Sequence, residues 1–243
     1  MKQLKFLLSA AIIMLILSSC NSGSNEKTTT TDTTATTTVD TTSQTKPEKS
    51  EAPAMTLLVK HKVANFSKWM AAYEGHDSAR LAYGLHNFVI ARGIKDTDMV
   101  MVALHMDDTA KAKQFAMMPS LKTAMQKGGV VGTPKFMYTI NRWHDNSTDS
   151  TTTRMIINQK VKDYDAWKKV FDSHKQTRMD AGLTDRAVGQ FVDDPHIVSV
   201  VLAISDLKKA EDFSKSKDLK DKMKEAGVEG EPDMFFYHVV KQW

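Results

Sequence analysis

The sequence has very little cysteine: Cys20 is the only one in 243 residues. One thiol cannot form a disulfide within the chain, and it cannot build a cysteine-based zinc site. The chain also has only a small excess of positive charge, because it contains 33 Lys and Arg and 29 Asp and Glu. Neither an HExxH motif nor a phosphate-binding glycine-rich loop occurs. We therefore predict no metal, no cofactor and no nucleic-acid partner.

Long hydrophobic runs are equally scarce. The main one covers residues 6–17, follows two lysines and contains Ser9 as its single polar residue. A membrane-spanning helix needs about 20 residues, so this shorter run predicts a signal peptide over residues 1–19. It ends in Leu-Ser-Ser-Cys20, which resembles the signal of bacterial lipoproteins. The alternative is a plain secretory leader followed by an incidental cysteine.

The lipoprotein resemblance implies that the chain is cleaved before Cys20 and that Cys20 is acylated. Membrane lipid would then be a partner, and the protein would be anchored in the bacterial cell envelope, facing the periplasm or the exterior. The residues that follow, up to position 53, include 12 threonines. Such a polar segment cannot bury enough surface to fold, so residues 20–53 are predicted to be a disordered tether.

The rest of the sequence is a repeat with a period of 98 residues. Each of the following first-copy residues has an identical partner 98 positions later: Lys62, Val63, Trp69, His76, Arg80, Gly84 and Leu85. The repeat predicts two domains, at residues 54–143 and 154–243. A polar linker over residues 144–153 separates them.

Each copy has the pattern strand, helix, strand, strand, helix, strand. Asn65 is a suitable N-cap for the first helix, and Gly84 suits a left-handed residue at its end. Pro119 indicates that the second helix is broken into two pieces. The last strand is predicted over residues 136–141, and over 234–240 in the second copy. This order is the ferredoxin-like arrangement of an α+β protein.

The strands are apolar on both faces, as in the alternating residues 99–104. Helices can cover only one face of such a sheet. We therefore predict that the two antiparallel sheets pack face to face and form an α+β barrel within one chain. The protein would then be a monomer whose two copies occupy the places of the two subunits of a dimer.

Several motifs resemble those of the dimeric α+β barrel superfamily, nearest to members related to antibiotic-biosynthesis monooxygenases or of unknown role. They are V-x-D-Y-D-x-W, H-x-x-x-R, G-L, D-x-x-K-A-x-x-F, L-K-x-x-M and G-V-x-G-x-P. The resemblance covers both copies and implies the fold. It leaves the activity open among cofactor-free oxygenases, haem-handling proteins, isomerases and modules without a known activity. The catalytic residue sets of those enzymes do not map onto this sequence.

A histidine and an arginine recur at the same place in both copies. On one helix, positions 69, 73, 76 and 80 lie within about 60° of one another and face the sheet. His76 and His174 are therefore candidate hydrogen-bond donors or general bases, and Arg80 and Arg178 candidate clamps for an anion. Alternatively, the arginines cap the last carbonyl groups of the helix and offset its macrodipole.

Other side chains are predicted to line a pocket between the first helix and the sheet of each copy. They are Trp69, Tyr73 and His61 in the first copy, and Trp167, Phe171 and Gln159 in the second. Four functions remain open: binding of a small, partly apolar anion, a cofactor-free oxygenase or isomerase, an interaction module without a pocket, and a haem-related role.

Overall fold

The computed structural model describes residues 54–145, 147 and 150–243. The first copy contains β1 (Met55–Val63), α1 (Phe66–Glu74), α2 (Asp77–Ala82), β2 (Leu85–Gly93), β3 (Met99–Met106), α3 (Thr109–Ala116), α4 (Pro119–Gly128) and β4 (Val130–His144). The second contains β5 (Thr153–Val161), α5 (Tyr164–Ser173), α6 (Lys175–Asp180), β6 (Leu183–Phe191), β7 (Ile197–Ile204), α7 (Leu207–Ser214), α8 (Lys217–Glu225) and β8 (Val228–Gln242). The two copies repeat one order of elements, which confirms the ferredoxin-like prediction.

Local sequence signals account for the helix boundaries. The side chain of Asn65 accepts a hydrogen bond from the backbone N–H of Lys68, as an N-cap does. Gly84 has φ +66°, a conformation that an L side chain rarely adopts. Pro119 stands at the start of α4 and separates it from α3. The second copy has the same break without a proline, because Ser216 caps α8 through the backbone N–H of Leu219.

The first helix of each copy differs from its prediction as a single helix. In the first copy it is interrupted at Gly75 and His76, between α1 and α2. In the second it is interrupted at His174. An arginine of the following turn donates to a carbonyl of the preceding one: Arg80 to Tyr73, and Arg178 to Phe171. The guanidinium thereby occupies an acceptor that a continuous helix would use for its own i→i+4 bond.

The eight strands form one closed barrel in the order β1-β3-β2-β8-β5-β7-β6-β4. Two of its seams join the copies: β2 pairs with β8, and β4 pairs with β6. The predicted last strands were too short, because β4 and β8 each span 15 residues. The C-terminal part of each strand, from Thr139 in β4 and from Tyr237 in β8, pairs with the other copy, so neither sheet has an open edge.

The barrel strands are buried on both faces, as predicted. Val100, Val102 and Leu104 belong to a core between the first sheet and its helices. The alternating Met101 and Ala103 belong to a separate core inside the barrel, shared by both copies. A third core lies between the second sheet and its own helices. The barrel wall therefore separates an interior space from two spaces under the helices.

Residues 1–53 are outside the part of the chain that the structure describes, so the leader, Cys20 and the tether remain predictions. Within the described ranges, no helix is long and apolar enough to cross a membrane.

Candidate functional site

Each copy has a cavity of about 60 Å³ between its helices and its sheet. The first cavity is lined by all five residues singled out in that copy: His61, Trp69, Tyr73, His76 and Arg80. The second is lined by their counterparts Gln159, Trp167, Phe171, His174 and Arg178. The structure thus brings each set of five together.

Stacked aromatic rings form one wall of each cavity. The rings of Trp69 and Tyr73 lie 5.3 Å apart with an interplanar angle of 27°. The rings of Trp167 and Phe171 lie 5.0 Å apart at 23°. Both pairs are spaced i, i+4 on one helix, so they share its inner face. The walls are therefore fixed by packing and are apolar.

Arg178 is fully engaged by the chain itself. Its Nε and Nη2 donate to the two carboxylate oxygens of Asp185 at 2.8 and 2.7 Å, and its Nη1 donates to the Phe171 carbonyl at 2.6 Å. The guanidinium also lies 3.6 Å from the centre of the Phe171 ring. Each guanidinium nitrogen thus donates to the chain, and the charge of Arg178 is paired with Asp185, which supports the capping interpretation.

Arg80 lies at the equivalent place in the first copy, but it pairs with a different acid. It donates to the Tyr73 carbonyl at 2.7 Å and to the Asp77 carboxylate at 2.9 Å. The counterpart of Asp185 here is Asn87, which donates to Asp77 at 2.6 Å and accepts from the Tyr73 hydroxyl at 2.5 Å. That hydrogen bond from Asn87 is the main reason why the pKa of Asp77 is lowered.

The two predicted catalytic histidines have different surroundings. His174 is buried, and its Nε2 lies 2.8 Å from the carboxylate of Asp218 on α8. His76 is half-buried and packs against the Phe115 ring. Burial, aided by the Arg80 charge, lowers the pKa of His76. The histidines therefore do not form an equivalent pair of bases.

His61 is the most unusual polar group of the first cavity. It is only 5% exposed, and neither of its ring nitrogens has a hydrogen-bond partner. Burial lowers the pKa of His61 to about 4, so the imidazole is neutral at neutral pH. The Nε of Arg80, in the same cavity, is also buried without a partner. None of the five corresponding residues of the second cavity has a buried polar atom without a hydrogen-bond partner.

Buried polar atoms of this kind are rare, since leaving one unsatisfied costs about 1–3 kcal/mol. Their restriction to one of two otherwise similar cavities distinguishes the first copy. The described residues contain no cluster of three or more His, Cys, Asp or Glu suited to a metal ion. The buried imidazole of His61 offers this cavity a neutral hydrogen-bonding group within apolar walls.

A third cavity, inside the barrel, was not predicted from the sequence. Its volume is about 570 Å³, and its lining includes Arg154 and Arg186. The available signal was the polar residues Thr56, His105 and Arg154 on the strand faces that point away from the helices. Sequence reasoning assigned those faces only to packing between the sheets.

The two arginines provide a test of the ion-pair geometry. Asp185→Asn is expected to lower the free energy of unfolding by about 3 kcal/mol, because it leaves a buried guanidinium without its carboxylate. Adding Lys175→Asp places an acid at the position equivalent to Asp77 and should restore at least about 1 kcal/mol of that loss. Urea unfolding of the two single variants and the double variant measures both effects.

Lys175→Asp alone is the matched control and should not stabilise the protein, since Asp185 already neutralises Arg178. If the changes in unfolding free energy of the two single variants simply add in the double variant, an acid at position 175 cannot replace Asp185 as the partner of Arg178.

No protein-family model matches the sequence, and no curated protein matches it. Solved structures are similar in fold. An anthrone oxidase-like protein superposes with a TM-score of 0.54 at 12% identity, over 79% of this chain and 94% of that one. A candidate monooxygenase from Fusobacterium nucleatum has a TM-score of 0.52 at 12% identity, over 78% of this chain and 94% of its own.

A candidate monooxygenase from Lactobacillus acidophilus has a TM-score of 0.50 at 13% identity, over 79% of this chain and 95% of that one. Identities this low establish the architecture alone. The chain therefore shares the ferredoxin-like α+β barrel fold of these structures, with both halves of the barrel on one polypeptide.

Proposed function

We propose that the protein binds a compact, mainly apolar molecule carrying one neutral hydrogen-bonding group in the helix–sheet cavity of the first copy. The observation that carries this proposal is His61, a buried imidazole whose two nitrogens have no partner. A ligand hydroxyl or carbonyl would satisfy a nitrogen that folding leaves unpaired, so binding would recover part of that cost.

Charge balance favours a neutral ligand over the anion expected from the sequence. Arg80 is paired with Asp77, and the guanidinium of Arg178 is held by Asp185. His61 is uncharged at neutral pH because its pKa lies at about 4. An anion would therefore enter an apolar cavity without an unpaired cation to offset its desolvation.

The same pKa argues against His61 as a base for proton abstraction. A base whose pKa is about 4 would have to remove a proton from a substrate group of pKa about 10, at an equilibrium cost of about 8 kcal/mol. The alternative of a cofactor-free oxygenase or isomerase draws support from the names of the structurally similar proteins. Oxygen consumption with quinol-type substrates would favour that alternative.

The cavity volume of about 60 Å³ corresponds to several water-sized groups, so the ligand is small. A suitable probe pair is 2-fluoroethanol and 1-fluoropropane, which differ only in hydroxyl against methyl. Fluorine NMR titration should show that 2-fluoroethanol binds more tightly, because only its hydroxyl can hydrogen bond to His61.

His61→Leu is expected to remove the preference for the alcohol, a loss of about tenfold, while leaving the protein as stable as before or more so. Gln159→Leu is the matched control in the second copy and should leave the preference unchanged. An unaltered preference in His61→Leu would contradict the proposed site.

Burial of neutral His61 also predicts a pH dependence. The folded-state pKa of about 4 lies below the ordinary histidine value of 6.5, so the unfolded chain binds more protons between these pH values. Stability should therefore be greatest above pH 6.5 and should fall by about 3 kcal/mol as the pH drops to 4. Urea unfolding at several pH values should show a smaller decrease in His61→Leu than in the wild type.

We further propose that the barrel is tethered to the cell envelope through an acylated Cys20. The motif before Cys20 and the threonine-rich segment after it support this proposal. Several acyl chains on one residue would give stable anchoring, since each buried methylene contributes about 0.8 kcal/mol.

Cys20→Ala should abolish incorporation of radiolabelled palmitate and release the protein from the membrane fraction of the expressing bacterium. Membrane association that persists in Cys20→Ala would contradict lipid anchoring at this residue.

A further inference from the structure

The interior of the barrel contains a cavity of about 570 Å³, far larger than the two under the helices. Small-molecule sites typically have volumes of about 300–1,000 Å³. Both copies contribute to its lining, and the sheet separates it from the cavity that contains His61. The lining also includes the exposed residues His144, Ser147 and Gln242, so the cavity reaches the surface of the molecule.

Three hydroxyl groups that line this cavity have no hydrogen-bond partner in the part of the chain that the structure describes. They belong to Thr56 on β1, Ser199 on β7 and Tyr237 on β8. These residues are 7%, 6% and 3% exposed. Burial raises the pKa of the Tyr237 hydroxyl to about 12, so all three groups are neutral at neutral pH. Each can both donate and accept a hydrogen bond.

The fold itself does not require these free hydroxyl groups. The equivalent positions in the other copy contain Arg154, Met101 and Thr139. Of these, only Thr139 has a hydroxyl, and it donates to the backbone carbonyl of Thr56 at 3.1 Å. The same barrel positions are therefore filled in one copy without an unpaired hydroxyl and in the other with one.

A fourth polar group without a suitable partner lies further along the interior. Asn158 pairs in register with Ser199, so both side chains point into the barrel. The side-chain oxygen of Asn158 is buried without a hydrogen-bond partner, and its NH₂ group has only the sulfur of Met137, at 3.9 Å. Buried polar groups are nearly always hydrogen bonded. The interior therefore has more hydrogen-bonding capacity than the described chain uses.

The charged side chains of the lining already have partners within the chain. Arg186 donates to the Asp145 carboxylate at 2.7 Å and to the Ser147 carbonyl at 2.9 Å. Arg154 is engaged as well, among other contacts with the Thr151 carbonyl. A charged ligand would lose its hydration here without gaining an unpaired charge of opposite sign. This balance favours a neutral ligand.

His105 and Phe88 provide a flat surface in the same cavity. Their rings stack with centroids 4.2 Å apart. Burial, aided by the charges of His86 and His144, lowers the pKa of His105, so its imidazole is neutral at neutral pH. The apolar face of a ligand ring packs favourably on such a surface.

We propose that the barrel interior is a second binding site, for a neutral molecule that carries several hydroxyl groups on a compact ring, as cyclic polyols and monosaccharides do. Strands β7 and β8 flank β5, which lies opposite β1 in the barrel. Ser199 and Tyr237 therefore contact the ligand from one side and Thr56 from the other. An apolar molecule would displace water from these hydroxyl groups without replacing its hydrogen bonds. This site is independent of the ligand proposed for the His61 cavity.

The first test compares myo-inositol with cyclohexanol, which has the same carbon ring and a single hydroxyl group. Ligand-observed NMR titration of the full chain, in a buffer free of sugars and glycerol, measures both affinities. Inositol should bind saturably and about tenfold or more tightly than cyclohexanol, because only inositol can pair with several hydroxyl groups at once. Equal affinities, or no saturable binding of inositol, would overturn the proposal.

The charge of the ligand is tested with myo-inositol 1-phosphate. Because the arginines of the lining have partners, the phosphate should bind no more tightly than inositol itself. Tighter binding of the phosphate would mean that the interior selects an anion, and would contradict the proposal.

Three nearly isosteric variants test the hydroxyl groups: Thr56→Val, Ser199→Ala and Tyr237→Phe. Each should weaken inositol binding about fivefold, as expected for the loss of one hydrogen bond. Tyr138→Phe is the matched control, since Tyr138 belongs to the core between the first sheet and its helices. It should leave inositol binding unchanged. An unaltered affinity in all three interior variants would contradict the assigned role of the hydroxyl groups.

Two further substitutions locate the bound inositol. Ser199→Met introduces the residue found at the equivalent position of the first copy, Met101, and fills part of the barrel cavity. It should abolish inositol binding, whereas His61→Leu should leave it unchanged. The reverse result would place inositol under the helices and overturn the proposal. If Ser199→Met does not fold, as judged by near-ultraviolet circular dichroism, Ala103→Leu fills the same interior space.

Discussion

Pairing of strands between the two copies is the interaction on which the rest of the structure depends. The β2–β8 and β4–β6 seams convert two open sheets into one closed barrel. Each sheet has apolar residues on both faces, and its own helices cover only one of them. Without the seams, residues such as Met101 and Ala103 would face water. Closure therefore links the stability of each copy to the presence of the other.

Closure also produces three separate spaces with different chemistry. The spaces under the helices are apolar and nearly equivalent, but only the first contains an unpartnered imidazole, that of His61. The interior space lies across the junction between the copies, so substitutions in one copy change one side of it alone. Duplication within one chain thus allows functional asymmetry that a dimer of identical subunits cannot have.

Much of the architecture could be predicted from the sequence because its signals are local. The N-cap Asn65, Gly84 at the end of the helical segment and the break before Pro119 each depend on a few neighbouring residues, and the 98-residue repeat assigns the same elements to the second copy. The strands β4 and β8 extend beyond their predictions at both ends. Their first residues pair within their own copy, and their last residues pair with the other copy, a pairing that no pattern within one copy specifies.

The partners of the arginines escaped prediction for a related reason. Arg80 uses Asp77, three residues before it, whereas Arg178 uses Asp185 on the next strand. No acid stands at an equivalent helix-facing position in both copies, although each arginine has an acidic partner. The break in the first helix lies beside the same contacts, because Arg80 and Arg178 donate to the carbonyls of Tyr73 and Phe171. The interior cavity depends on how the sheets curve, which the alternation of residues does not specify.

Cooperative unfolding of the two copies tests barrel closure most directly. Two single-tryptophan proteins would be compared, in which the exposed Trp143 and Trp243 are replaced by Phe together with either Trp69 or Trp167. The remaining tryptophan then reports on one copy. The account predicts that both proteins unfold in urea in one transition, with coincident fluorescence and circular-dichroism midpoints. A folded second copy that persists after the first has unfolded, or the reverse, would contradict it.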